Sequence, residues 1–162
     1  MSPAATSRVK HVPANTGRSV AIFGDSIAFE YEPADNDDAL LMYEARIREG
    51  SGVPPHTERN YEAFYVLRGT LELEADGKPY RLEPGDFLCI QPRVLHALHN
   101  PGPGWLWVLC VVSPGSQHQR FFETLGDPLE DPLDPPMPSG PPDVVRMAEV
   151  ARGCGIELTP MG

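Results

Sequence analysis

Basic charge is scarce in this chain. Thirteen Lys and Arg stand against 23 Asp and Glu in 162 residues, a formal net charge of −10. Nowhere do the cationic residues gather into a stripe, so the electrostatic footprint of a nucleic-acid-binding protein is excluded. An acidic surface is also a poor match for anionic lipid. Long apolar runs are missing as well: the longest, Trp105 to Val112, is too short to span a bilayer. The N-terminal segment lacks the apolar stretch of a secretory signal, and a cytoplasmic location is expected. Cysteine is sparse and odd in number. Cys89, Cys110 and Cys154 make no disulfide framework, and Cys89 and Cys110, each inside an apolar run, read as small core residues.

What is present points to β structure. The 19 prolines and 15 glycines suit many short strands joined by tight turns, and 41% apolar residues suffice for one hydrophobic core. Residues 1 to 17 are polar and small and read as a flexible arm. From about residue 18 to 126, short β-like runs alternate with turn signals. Leu71 and Leu73 alternate with Glu72 and Glu74, the pattern of a half-buried strand with the glutamates in water. Asp76-Gly77 then signals a hairpin. Leu40 to Arg48 fits a strand or a short helix by periodicity, and its surroundings favour the strand. Strands at this spacing predict an all-β barrel or sandwich. Residues 127 to 162 read as a Pro-rich, extended linker and a C-terminal helix packing on the barrel, with Asp143 as N-cap and Gly153 near the stop. Phe121-Phe122 serves either to cap the barrel or to anchor this tail.

The chemistry-bearing residues fall in two clusters. His56 and Glu58 are two apart and share a face in an extended chain; Glu62, four further on, keeps that parity. His96 lies in a β-like run with Leu98 on its side, whereas His99 alternates outward. Charged groups projecting into an otherwise apolar interior are costly unless paired or bound to a cation, and a divalent ion removes that cost. His11 and His118 lie in loop-like segments and carry no ligand signal, and Arg93 points to solvent.

At this spacing the chain resembles the cupin superfamily, whose first motif reads G-x5-H-x-H-x3-4-E-x6-G and whose second reads G-x5-P-x-G-x2-H-x3-N. Gly50, His56, Glu62 and Gly69 match the first motif; Gly85, His96 and Asn100 match the second, with 15 residues between the two. Glu58 stands where the second His is expected, Gln91 where the Pro is, and Arg93 where the Gly is. The resemblance extends over most of residues 19 to 160 and is nearest to bacterial single-domain quercetinase-like cupins. It implies a cupin-type jelly-roll β-barrel and a divalent metal bound by His56, Glu62 and His96, with Glu58 at the fourth position.

Glu58 is then either a fourth ligand or a general base beside a three-ligand site. With two carboxylates the set favours the harder ions, Fe, Mn or Ni, with Zn possible. Glu58 and Glu62 are the candidate catalytic groups, and Phe64, Val66, Phe87, Leu98 and Trp107 are candidate pocket residues. The implied activity is a metal-dependent dioxygenase-like oxidoreductase acting on an aromatic, flavonol- or polyketide-like small molecule. A redox-neutral isomerase, cyclase or lyase is the first alternative, and a non-catalytic small-molecule-binding barrel the second. By the same resemblance a homodimer is expected, pairing through the edge supplied by residues 19 to 31.

Overall fold

The computed structural model describes residues 8–159. The N-terminal arm is thus seen only from residue 8; residues 1–7 lie outside the described residues. Lys10 Nζ reaches Asp35 Oδ2 at 2.5 Å, and Arg46 Nη2 donates to Asn15 Oδ1 at 2.7 Å, so the described part of the arm lies against the barrel.

Two antiparallel sheets form a jelly-roll. The first contains β1 (Ser19–Ile22), β2 (Asp25–Tyr31), β3 (Leu41–Ile47), β5 (Tyr61–Arg68), β8 (Phe87–Ile90), β10 (Leu106–Ser113) and β11 (Asp127–Leu129), in the order β11-β1-β2-β3-β10-β5-β8. The second contains β4 (Gly52–Glu58), β6 (Leu71–Ala75), β7 (Lys78–Leu82), β9 (His96–His99) and β12 (Ile156–Leu158), in the order β12-β4-β9-β6-β7. Leu41–Ile47 is a strand, as its surroundings suggest. The alternation along β10 shows why the sheets close on each other. Leu106, Val108, Cys110 and Val112 are buried, while the residues between them are partly exposed. The inward sets of both sheets, among them Phe29, Leu41, Phe64, Val66, Leu71 and Leu106, make one continuous core.

Two helices follow the barrel, α1 (Ser116–Leu125) and α2 (Val144–Gly153). Asp143 caps α2, its side chain accepting from Arg146 N at 3.0 Å. Helix α1 begins a turn and a half before Phe121 and so takes in His118, whose segment reads as loop-like in the sequence. Asp38 explains the earlier start: its carboxylate accepts from the backbone N of Gly115 at 3.1 Å and of Ser116 at 2.8 Å, filling the role of a helix N-cap from another part of the chain.

The tail also departs from a plain extended linker. Asp127–Leu129 pairs with β1, with Pro128 opposite Val20 on the sheet edge, where a missing N–H costs no ladder bond. Proline carbonyls beyond it accept hydrogen bonds from the barrel: Pro132 O from Ser26 Oγ at 2.8 Å and Arg46 Nη1 at 3.2 Å, Pro135 O from Arg48 Nη2 at 2.7 Å. Because β11 occupies the outer side of β1, residues 19–22 offer no open edge to a second chain. Cys110 and Cys154 are buried, but Cys89 is exposed. On β8 Ile90 is the buried residue, so strand alternation turns Cys89 outward. Among the described residues no helix is long and apolar enough to cross a membrane.

Candidate metal centre

Four side chains converge where the two sheets meet. Strand β4 contributes His56 and Glu58, two apart on its inner face. Strand β9 runs beside it with His96 directly opposite His56. Gly52 permits that approach, since a Cβ there would stand 2.2 Å from the Leu98 carbonyl oxygen. The chain then turns through Arg59 and Asn60, the buried Asn60 side chain bonding the Pro114 carbonyl, and enters β5 with Glu62 facing inward. On the other side Arg93, in the position where the motif has Gly, adopts φ +68 and donates its N–H to Glu58 O at 2.7 Å. The backbone thus keeps the left-handed turn that a glycine would make there.

All four side chains are buried, and one ligand atom from each lies within 4.8 Å of the others. The two imidazoles present the same nitrogen. His56 Nδ1 lies 2.8 Å from Pro54 O and His96 Nδ1 2.8 Å from Val94 O, and a carbonyl oxygen can only accept. Each Nδ1 therefore carries the proton, leaving the Nε2 lone pair directed at the carboxylates. His56 Nε2 is 3.7 Å from Glu58 Oε2, and His96 Nε2 is 3.1 Å from Glu62 Oε2. Lone pairs facing carboxylate oxygens in a buried site repel unless a proton or a cation lies between them. Glu58 adds to the imbalance, because neither of its buried oxygens makes a well-aligned hydrogen bond. This donor set, two Nε2 atoms with fixed tautomers and two carboxylates, fits one divalent ion.

Protonation follows from the same crowding. Burial, reinforced by neighbouring His96, lowers His56 to about 4, so it is neutral near pH 7. Burial raises both Glu58 and Glu62, and for Glu62 the adjacent Glu58 carboxylate raises it further. Burial pulls His96 down, but the Glu62 carboxylate more than offsets this and its pKa lies above the ordinary value.

One residue absent from the sequence-based set completes the surroundings. His118 on α1 is buried, and its Nε2 stands 2.9 Å from Glu58 Oε2. Placing the start of α1 at Ser116 would have put His118, Phe121, Phe122 and Leu125 on one helical face, three to four residues apart, which is the signal that reveals it. Phe122 anchors that face, its ring 5.0 Å from Tyr43 and 6.1 Å from His118. His11 is not drawn into the cluster and His99 is exposed, facing Glu72 on the outer surface.

An apolar cavity leads to the cluster. Phe64 and Leu98 line it together with Tyr43, Val108 and Cys110, and the tail closes it with Phe121, Met147, Ile156 and Leu158. The other three candidate pocket residues lie elsewhere. Val66 is buried in the core without lining the cavity. Phe87 is 65% exposed, since Ile90 takes the inner face of β8. Trp107 occupies an outward position on β10, stacked between the guanidiniums of Arg46 at 4.8 Å and Arg68 at 5.2 Å.

A two-sheet jelly-roll with this cluster at the inner junction of β4, β5 and β9 is a cupin fold, and residues 43–112 match the family model described as a cupin domain. Over 102 residues the chain is 30% identical to quercetin 2,3-dioxygenase from Bacillus subtilis (strain 168), covering 62% of this chain and 30% of that protein. It is also 30% identical over 84 residues to L-ectoine synthase from Halomonas elongata (strain ATCC 33173 / DSM 2581 / NBRC 15536 / NCIMB 2198 / 1H9), covering 51% of this chain and 60% of that protein. The chain thus spans under two thirds of either relative. Among solved structures, the polyketide cyclase RemF from Streptomyces resistomycificus has a TM-score of 0.57 and 18% identity, over 65% of this chain and 80% of that one, a likeness of fold alone.

Proposed function

We propose that this chain is a metal-dependent cupin enzyme in which His56, Glu58, Glu62 and His96 hold one divalent ion, Fe, Mn or Ni in preference to Zn, and that it acts as a dioxygenase on an aromatic, flavonol- or polyketide-like small molecule. The observation that carries this reading is the set of unshared lone pairs: two Nδ1-protonated imidazoles face two carboxylates, and His56 and Glu62 of this set line the far end of an apolar cavity. Similarity to quercetin 2,3-dioxygenase supports the reaction class. When bound, the ion would polarise a substrate oxygen and, if redox-active, open dioxygen chemistry.

The residues of the chain do the rest. The apolar walls, Tyr43, Phe64, Val108 and Leu98, exclude water and hold a ring by its faces. Glu62, the carboxylate of the set that lines the cavity and whose pKa burial raises, takes the proton of an acidic substrate hydroxyl. Glu58, in contact with His118, and His96, its Nδ1 fixed on Val94 O, would hold the ion beside it. The test is oxygen uptake by the metal-loaded protein with a panel of flavonols and enolic polyketides. Uptake with at least one of them, abolished when the ion is removed and restored when it is returned, is expected; no uptake with any overturns the dioxygenase reading.

The Glu58–His118 contact favours a second reading, a redox-neutral isomerase, cyclase or lyase, because a carboxylate backed by an imidazole suits proton transfer without oxygen. Turnover that persists anaerobically with Zn would favour it. For a homodimer, the surface available is the outer face of the seven-stranded sheet, where Tyr61, Tyr65, Leu67 and Phe87 are exposed. Light scattering at twice the chain mass, reverting to the monomer mass in Tyr65→Glu, would support that dimer.

A further inference from the structure

Phe23 breaks a rule of turn chemistry. With Gly24 it forms the two-residue turn between β1 and β2, where Ile22 pairs with Asp25. Its φ is +52° and that of Gly24 is +88°. A two-residue turn with both central residues left-handed favours Asn-Gly, Asp-Gly or Gly-Gly. Gly24 suits the turn, whereas a bulky aromatic residue in that region is a steric outlier. The turn is held from behind. Arg48 Nε donates to Gly24 O at 2.8 Å, and a Cβ on Gly24 would stand 3.0 Å from Pro138 Cδ. Strained backbone that its surroundings keep in place occurs where a side chain must be held at a particular spot.

That spot is the mouth of the cavity. Phe23 lines the cavity yet remains 40% exposed, as does Val53 at 38%, whereas His56 and Glu62 line its far end at 4% each. A ring that served only the core would be buried like Phe29 and Phe64, each at 1%. The mouth offers apolar faces rather than free charge. Asp25, next to the turn, already accepts from Arg48 N at 2.8 Å and Ser51 Oγ at 2.7 Å.

We propose that Phe23 is a specificity-determining residue that stacks on a planar ring of the ligand at the cavity mouth, and so selects flat aromatic molecules over aliphatic ones. The proposal rests on the reading of this cavity as a substrate site. Offset stacking adds favourable energy beyond simple area burial, and an aliphatic side chain cannot supply it.

The experiment compares equilibrium binding of flavone, which lacks a metal-chelating 3-hydroxyl, and of 1-decanol to the protein as isolated, in wild type, Phe23→Leu and Phe23→Asn. Metal content and thermal unfolding are read on the same samples. Phe23→Leu should weaken flavone binding about tenfold and leave decanol within about twofold. Phe23→Asn, which suits the turn, should lose flavone binding at least as strongly. A flavone-to-decanol affinity ratio unchanged in both variants, or a wild type that binds neither probe, overturns the proposal. A metal-free wild type whose ratio still falls on substitution leaves the stacking residue standing and removes the enzyme reading, so the two failures are distinguishable.

Discussion

The two halves of this site are built by different means. The barrel half places His56 and Glu58 on β4, His96 on the adjacent β9, and Glu62 on β5 of the facing sheet, and within each strand the two-residue period turns them inward. The tail half places His118, Met147, Ile156 and Leu158 over the same cavity from two helices and a three-residue strand. Those placements depend on contacts distant in sequence. Strand β12 lies along β4, with Leu158 opposite His56 and Ile156 opposite Glu58. The barrel supplies all four candidate ligands from within its own strands, and the tail closes the cavity over them and sets His118 beside Glu58.

Stability should separate the halves most widely. Phe64→Ala removes a ring that is 1% exposed between the two sheets and should cost about 3–5 kcal/mol. Ile156→Ala sits on a short edge strand and should cost about 2 kcal/mol, the low end for such a truncation. Chemical denaturation measures both. An equal loss at Ile156 would make the tail as integral to the fold as the barrel and erase the contrast.

The pH response tests the barrel half by itself. Burial raises Glu58 and Glu62, the Glu62 carboxylate raises His96, and His56 is lowered to about 4. Protons therefore compete with a metal ion at the first three groups but not at His56. Metal affinity should rise with pH above 4.5 and go on rising past 6.5, where the raised His96 still holds its proton, about tenfold per pH unit for each proton displaced. The carboxylates act on metal-free stability with the opposite sign. Their folded pKa values are raised above the ordinary 4.5, so the stability they contribute is present below that value and lost as pH rises through the raised values. His56 adds stability as pH rises from about 4 to its ordinary 6.5. Calorimetric titration across this range gives the answer, and an affinity independent of pH would contradict the assignment.

A smaller effect joins the halves. His118→Gln removes the imidazole beside Glu58 without touching a strand, and should weaken metal binding about 10–100-fold, the range for outer-sphere partners of metal ligands. Unaltered affinity would confine the tail to enclosure. The smallest effect lies outside both halves: Phe87→Ser, at a 65% exposed position, should change monomer stability by no more than about 0.5 kcal/mol.

The barrel half was legible in the sequence because its information is local. The spacing of His56 and Glu58 fixes their common face on β4, and alternation correctly turns His99 outward; Glu62 joins them not along one extended segment but because the chain turns at Arg59 and Asn60 into β5 of the facing sheet. The same rule applied to Phe87, Cys89 and Trp107 would have turned them outward too; their apolar character suggested the opposite. For Trp107 the missing information was the pair of arginines, Arg46 and Arg68, that cover its ring from β3 and β5. His118 could not be placed without knowing that Asp38, far away in sequence, caps α1 at Ser116. The pairing of Asp127–Leu129 with β1 was equally hidden, because a proline-rich stretch carries no alternation that would mark it as a strand.

The most direct test of the central claim is the metal content of purified, untagged protein by mass spectrometry, with His96→Ala measured alongside. The account predicts about one Fe, Mn, Ni or Zn per chain in the wild type and almost none in the variant. A wild type that arrives without metal and takes up none of these ions when they are supplied would contradict it.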